Sequence, residues 1–598
     1  MNNLWEDIKP RDPQPPWFYS FKGETVIDRQ FDNYKGIYSE KMTQTLSYFK
    51  NFPVSNKVIL NNSDFSTGTY RIKTPGYYVL NENITFDPNP DNDSQPTQAQ
   101  LEGEYSGGPY TLGFFAAITI EAPNVILNLN GKTLKQSKRH HLKQRFYAHI
   151  ELASSPFIPS QGPANFGPTI VWADKLWITN GYLGLSSHHG IHGNNMQNVI
   201  IDNLNIYDYE VGAISLNGGE HILTRNVNVS NVLNKIRVTS AFSQCRFIRP
   251  FLQKIIDEDP TYSVTLEGES LTASDILSKL QLELDEAYNT IVNENENLPS
   301  SSLFYNKTQK SDCDCYGFLF NSKGVAVNGF KKNRDGAIGN IDIIIHDCNL
   351  NKLKTTAEEI IGISKVKNSE RDDGEEAYGS GEQAGPVGDI FNVIYNSDNN
   401  GFYKRNSLAD AQIIVSSYAI DKGVSMGTAN IKQEIINWAA GGININTLVD
   451  NEDENKYYYV NNHDSMGHVM KGNIALFLSA VSNCKTYNVN VNMVENTGDS
   501  GALDHGDNVY EGSSNRSVGI FGSEHVYLTN IKIVNSESTN GCSYGLHIGT
   551  QSKYVSIVNL AVNGIESCSS ATTVGLPNPE PKPHICLIGQ ETENISIN

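Results

Sequence analysis

The chain has little positive charge to offer a polyanion: across 598 residues, 46 lysines and arginines stand against 66 aspartates and glutamates, a net charge of −20. A field of that sign repels phosphate backbones and removes the counterion release on which nucleic-acid binding depends, so nucleic acid is not expected as a partner. Long apolar runs are missing as well. No stretch of 18 apolar residues occurs, so insertion into a membrane is not expected. Met1 to Pro16 mixes acids, bases and prolines with no apolar centre, so no secretory signal is expected and synthesis is assigned to the cytoplasm. Cysteine is scarce at eight residues. Only Cys313 and Cys315 stand close, as C-D-C, a spacing too tight for a zinc knuckle, and buried free thiols are expected.

What is present is a repeat. The hydrophobic share of 38% and aromatic share of 10% suffice for a packed core. L-W-I-T-N-G-Y-L ends at Leu183, V-I-I-D-N-L-N-I at Ile206 and I-L-T-R-N-V-N-V at Val229. Their shared asparagines, Asn180, Asn203 and Asn226, recur at steps of 23 residues, within the range of solenoids. The column returns at Asp347, Asn488, Asn530 and Asn559, with the gaps lengthened by insertions. Period-2 alternation, as in Val199, Ile201 and Leu204, turns apolar side chains inward, while asparagine and glycine permit the bends between short strands. Asparagines stacked at one bend can bond one another through their side-chain amides. The fold class predicted is all-β: a right-handed parallel β-helix solenoid of three-strand coils with two inserted, partly helical segments.

T-P-G-Y-Y-V-L-N-E-N-I-T-F from Thr74 and A-I-T-I-E-A-P-N-V-I-L-N-L-N-G-K-T-L from Ala117 resemble the opening coils of the pectin-lyase-like family of right-handed parallel β-helices. The resemblance covers roughly residues 61–235, 317–355 and 465–598, and it speaks to fold more than to chemistry. Residues 1–60, rich in Phe, Tyr, Trp and Pro, are assigned to a cap or attachment segment. Residues 236–316 form a helical insertion, with Ile276, Leu280, Leu284, Ala287 and Ile291 at helical spacing, a cap at Thr272 or Ser274, and a preceding helix striped by Phe247, Ile248, Phe251 and Ile255. Residues 356–464 form a mixed insertion or small subdomain, with helical stretches near Ser407–Asp421 and Ala429–Ala440. E-N-I-S-I-N at the C-terminus reads as the first strand of a further coil, an open end that is either covered in an assembly or continued in a longer product.

Two polar clusters are candidates for chemistry. S-S-H-H-G-I-H-G-N-N holds His188, His189 and His192, and one 23-residue coil later Glu210 falls beside Ser187. A carboxylate there can orient a histidine and raise its basicity; the alternative is a turn decorated with histidines and a solvated acid. H-x-x-H on a strand is a weak zinc signal, because the two side chains need not converge. A-L-D-H-G-D-N supplies Asp504, His505 and Asp507, which can bind calcium, handle protons, or simply brace an Asp-rich turn. Tyr457, Tyr458 and Tyr459 form an aromatic cluster suited to carbohydrate. The resemblance to polygalacturonase-like members breaks at their chemistry: C-S-Y-G-L-H-I-G-T carries Tyr544 where their histidine falls and His547 beyond Gly545, with no Asp-Asp coil. Arg225 and Lys532 are basic candidates for lyase-type chemistry by position alone.

The expected function is therefore a noncatalytic structural or attachment β-helix that contacts polysaccharide or glycan, on a virus particle or cell surface, as a homo-oligomer or within a larger assembly. Asn, Ile and Lys usage points to an A+T-rich genome. Alternatively the chain is a polysaccharide lyase, glycoside hydrolase or epimerase acting through one of the two clusters. No cofactor is required in either case, and calcium is the one ion the acids allow.

Overall fold

The structure is a computed structural model that describes residues 37–54, 57–144, 147–157, 170–231, 240–266, 269–292, 315–321, 341–356, 396–397, 403–404, 407–422, 473–497, 515–538, 543–549, 551–567, 584–589 and 592–598. Two large parallel sheets organise it. The first runs through Asp174–Leu183, Gln197–Tyr207, Glu220–Ser230, Ile341–Thr356, Ser482–Thr497, Glu524–Ser538, Lys553–Glu566 and Glu593–Ile597. The second runs through Ala116–Ile120, Ala148–Glu151, His189–Asn194, Gly212–Asn217, Cys315–Asn321, Asn473–Ser479, Asn515–Phe521 and Ser543–Ile548. The chain alternates between them, so every coil adds one strand to each sheet. This is the parallel β-helix predicted, with the handedness that parallel crossovers take.

The third straight segment of each coil is made by bending a long strand of the first sheet. Asn180, Asn203, Asn226, Asp347, Asn488, Asn530 and Asn559 all have φ between 51° and 73°, the left-handed region that Asn and Asp tolerate better than other residues bearing a Cβ. Pairing is in register on both sides of that residue: Asp202 faces Thr179 and Arg225, and Leu204 faces Gly181 and Val227. The asparagines therefore lie in one vertical column at one bend, as expected. The column is bonded: Asn488 donates to Asp347 at 3.0 Å, Asn530 to Asn488 at 3.0 Å and Asn559 to Asn530 at 2.9 Å. A second ladder two residues on runs from Asn205 through Asn228 and Asn349 to Asn490, with bonds of 2.7–3.1 Å.

Val199, Ile201, Leu204 and Ile206 are buried in the core that runs the length of the solenoid. At the start of the second-sheet strands from His189–Asn194 to Asn473–Ser479 two successive residues face inward and the first is small, whereas the coil before carries His149 there. Gly190, Ala213, Gly317 and Ala475 stack there in register. A Cβ on Gly190 would lie 2.5 Å from the Ala213 carbonyl oxygen, and one on Gly317 would lie 2.4 Å from that of Ala475.

The described part of the N-terminal segment supplies a helix across the side of the solenoid and the end strand of the first sheet, Lys57–Leu60, paired with Gly76–Leu80. Helix Glu40–Lys50 sets Met42, Leu46 and Phe49 on the outer face of the first sheet, against Trp177, Ile200, Leu223 and Ile344. The inserted helices also form as predicted. Thr272 caps Ala273–Val292, where Ile276 and Leu280 are buried, and Ile248, Phe251 and Ile255 are buried on Ser240–Glu258. Helix Ser407–Lys422, from the second insertion, packs on both: Tyr418 donates to Glu258 at 3.0 Å and Lys422 pairs with Asp259 at 2.8 Å. The two excursions thus meet in one helical unit because both leave the solenoid at the same corner, after a first-sheet strand and before a second-sheet strand. The side chain of Leu284, together with Phe247, Ala287, Ile291 and Ala429–Ala440, lies outside the described residues.

The bend column makes a direct prediction. Asn530→Ala loses both ladder bonds and keeps a Cβ at φ 56° without asparagine's tolerance of that region, whereas Asn530→Gly loses the bonds but removes the Cβ. The alanine variant is expected to be about 1 kcal/mol less stable than the glycine variant in chemical denaturation. Equal losses would show that the bend is not held in the left-handed region.

Candidate functional site

The small-residue corner determines what the second sheet shows to solvent. Gly190 and Ile191 both face the core, so the strand alternation slips by one and His189 and His192 emerge together on the outer face. The two imidazoles stack with centroids 4.9 Å apart and planes 7° apart, and His188 meets His189 edge-on at 4.0 Å. Gly212, opposite His189 in the next coil, leaves room for that ring: a Cβ there would sit 3.2 Å from His189 Nδ1.

These histidines line a cleft of about 170 Å³ that crosses the sheet. Its other lining residues include Phe115, Tyr147 and Phe157 together with Glu151, Asn194 and Asn217, Phe115 and Tyr147 being also part of the core. Glu151 lies directly opposite His192 in the preceding coil, and its Oε2 is 2.7 Å from His192 Nδ1. Burial pushes the Glu151 carboxyl above the usual carboxylate range, with His192 pulling the other way. A carboxylate accepting Nδ1–H leaves His192 Nε2 with its lone pair. Consistent with that tautomer, Asn217 Nδ2 approaches Nε2 at 3.5 Å while also donating to Asn194 Oδ1 at 2.9 Å. The arrangement is an oriented imidazole base beside two side-chain amides in an aromatic-walled cleft.

Sequence spacing found the histidines but not Glu151. Glu210 does fall beside Ser187, since Tyr209 bridges Ser186. Its carboxylate, however, lies buried 3.5 Å from His141 on helix Lys138–Lys143, and the cleft's acid is Glu151. The acid facing His192 is thus Glu151, from the preceding coil. Arg225 is corrected: it is fully buried beneath the N-terminal helix and pairs with Asp202 at 3.1 Å, held by the first sheet as a structural cation. Lys532 is exposed on the first sheet, away from the cleft-bearing face. Asp504, His505, Asp507, Tyr457, Tyr458 and Tyr459 lie outside the described residues.

The outer face carries further rings along the same rows. Tyr316 stacks on Phe477 at 5.6 Å, Phe477 meets Phe521 at 5.3 Å, and Phe521 meets His547 at 4.8 Å. Arg516 donates to His547 Nδ1 at 2.9 Å and lies over the buried Tyr544 ring. Among the described residues no cluster of three His, Cys, Asp or Glu side chains is placed to hold a metal ion. Cys315, Cys348 and Cys484 are buried free thiols, and no helix among the described residues is long and apolar enough to cross a membrane.

No family model and no curated protein matches the chain. Among solved structures, that of PfbA, a surface adhesin of Streptococcus pneumoniae, aligns over 88% of this chain and 71% of its own at 10% identity, with a TM-score of 0.30. A superposition that loose gives no ground for function, and the fold rests on the strand register.

His149, next to the cleft, faces the core. Its Nε2 is 3.0 Å from the Gly184 carbonyl and its Nδ1 is 3.0 Å from the Tyr147 hydroxyl, the pattern of a neutral imidazole that donates to one and accepts from the other. Burial lowers its pKa to about 4. The unfolded chain, with an ordinary histidine near ~6.5, binds a proton that the folded chain refuses, so this contribution is complete above that pH and is lost as pH falls toward 4. The stability advantage of wild type over His149→Gln should narrow by ~3 kcal/mol between pH 7 and pH 4. A gap that stays constant with pH would contradict a neutral buried His149.

Proposed function

We propose that the protein is an attachment β-helix that contacts glycan through the outer face of its second sheet, with the Glu151–His192 cleft as the principal sugar seat. The observation that carries this is the cleft's lining: aromatic residues, imidazoles and polar amides meet at one concave site, the combination that holds a sugar's apolar face and its hydroxyls. Its volume of about 170 Å³ is small against the ~300–1,000 Å³ of a drug-sized pocket and suits one ring of an extended chain. The rings from Tyr316 to Phe521 extend the same face across further coils, so a long glycan would meet several weak contacts in series. A position on a virus particle or cell surface, and assembly into oligomers, belong to the same proposal.

The dyad favours a second function. Glycoside hydrolysis ordinarily needs two carboxyl groups roughly 5–9 Å apart, and Glu151 is the one carboxyl among the described residues lining the cleft. Lyase or epimerase chemistry on a uronate needs a single base to take the proton beside the carboxylate. His192 Nε2, oriented by Glu151, supplies one.

A panel of acidic and neutral polysaccharides, scored for both retention and product release, separates the two. Attachment predicts retention without new chain ends, and Phe157→Ala should weaken that retention about tenfold, as expected for one lost ring contact. Retention of no polysaccharide by the folded protein would overturn the glycan proposal. If products appear, Glu151→Gln should cut their release at least ~100-fold while leaving retention nearly intact.

A further inference from the structure

The row that carries Glu151 and His192 continues into the next coil at Ser215. Strand pairing places His192 opposite Glu151 on one side and opposite Ser215 on the other, so three successive coils present Glu, His and Ser at one outward position. Ile214 and Leu216, which flank Ser215, are in the core, and this turns its side chain to the outer face. Adjacent strands lie ~4.8 Å apart, close enough for a side-chain hydroxyl to reach the imidazole of its neighbour. The ring is turned the right way: Nδ1 is held by Glu151, and Nε2 faces strand Gly212–Asn217, since Asn217 of that strand approaches it at 3.5 Å. Ser215 is 2% exposed and its side chain makes no hydrogen bond among the described residues, to His192 included, so its hydroxyl is uncommitted and must turn toward Nε2 for the pair to act.

We infer that Ser215, His192 and Glu151 form a nucleophile–base–acid triad that hydrolyses carboxylic esters, with small acyl esters on the bound glycan as the substrate class. The roles follow from position, because such triads are defined by geometry and recur on unrelated folds. Ser215 Oγ attacks the ester carbonyl carbon, forming a C–O bond as its proton passes to His192 Nε2. Collapse of the tetrahedral intermediate breaks the bond to the alcohol oxygen, which leaves with that proton and gives a free glycan hydroxyl. Water then attacks the acyl-serine, His192 takes and returns its proton, and the acid departs. Ester and water become acid and alcohol, with no oxidant or metal required. Glu151 keeps Nδ1–H and stabilises the imidazolium at each stage. Asn217 gives one amide hydrogen to Asn194 and points the other at His192 Nε2; once Nε2 takes the serine proton, that second hydrogen is released to turn to the oxyanion.

This inference rests on the glycan proposal through Glu151 and His192, which line the cleft, with Ser215 beside His192 at its border, and the assay separates the two because p-nitrophenyl acetate turnover needs no glycan. Wild type is expected to hydrolyse p-nitrophenyl acetate, to release acetate from an acetylated polysaccharide, and to be labelled by a fluorophosphonate on the peptide containing Ser215. Ser215→Ala should lose at least ~1,000-fold in turnover and all labelling, with thermal midpoint and polysaccharide retention unchanged. Glu151→Gln should retain labelling at a rate reduced by ~100-fold or more, since it weakens the base without removing the nucleophile. Turnover by Ser215→Ala at the wild-type rate, labelling on another residue, or a folded wild type inert to both ester and fluorophosphonate would overturn the triad. Glycan retention measured on the same samples reports on the seat alone.

Discussion

Everything in this molecule depends on coils returning to the same register, and that return is enforced at the bends. A strand of the first sheet must turn sharply without losing its pairing to the strands above and below. One residue per coil achieves this by entering the left-handed region. Asparagine suits that position twice over: it tolerates positive φ, and its side-chain amide bonds the copy in the next coil. The small residues at the opposite corner serve the same end, since a side chain at Gly190 or Gly317 would strike the carbonyl of the neighbouring coil.

Register is also what makes a site. Residues far apart in sequence but equal in coil position fall ~4.8 Å apart, so a single outward row can gather an acid, an imidazole and a hydroxyl without a specialised loop. The corner adds the one irregularity that matters, because two successive inward residues put His189 and His192 on the same side. The excursions leave the solenoid at the corner beside this row, and the helices of the first pack on helix Lys138–Lys143, whose His141 meets Glu210. Variation is thereby kept at one edge while the stacked core stays regular.

The solenoid, the bend column and the inserted helices were legible because each has a period. A 23-residue step marks Asn180, Asn203 and Asn226, and helical spacing marks Ile276 and Leu280. The adjacency of Ser187 and Glu210 followed from the same step, but which neighbour a carboxylate chooses is a matter of local packing, and helix Lys138–Lys143 brought His141 to it. Glu151 escaped because the coil before His192 is lengthened: its acid lies 41 residues back, where a fixed step points elsewhere. Arg225 looked available because spacing along a strand cannot reveal that a helix from near residue 40 lies over that face.

Coil stacking sets Glu151, His192 and Ser215 in one outward row, and thiol cross-linking measures that row directly. Cysteine pairs at positions 151 and 192, and at 192 and 215, would be treated with the shortest bis-maleimide and mapped by mass spectrometry, with positions 488 and 530 of the bend column as a reference. The structure predicts efficient intramolecular linkage of both site pairs, comparable to the reference pair. Failure of either site pair to link while the reference pair links would contradict the register on which the cleft, the dyad and the triad all depend.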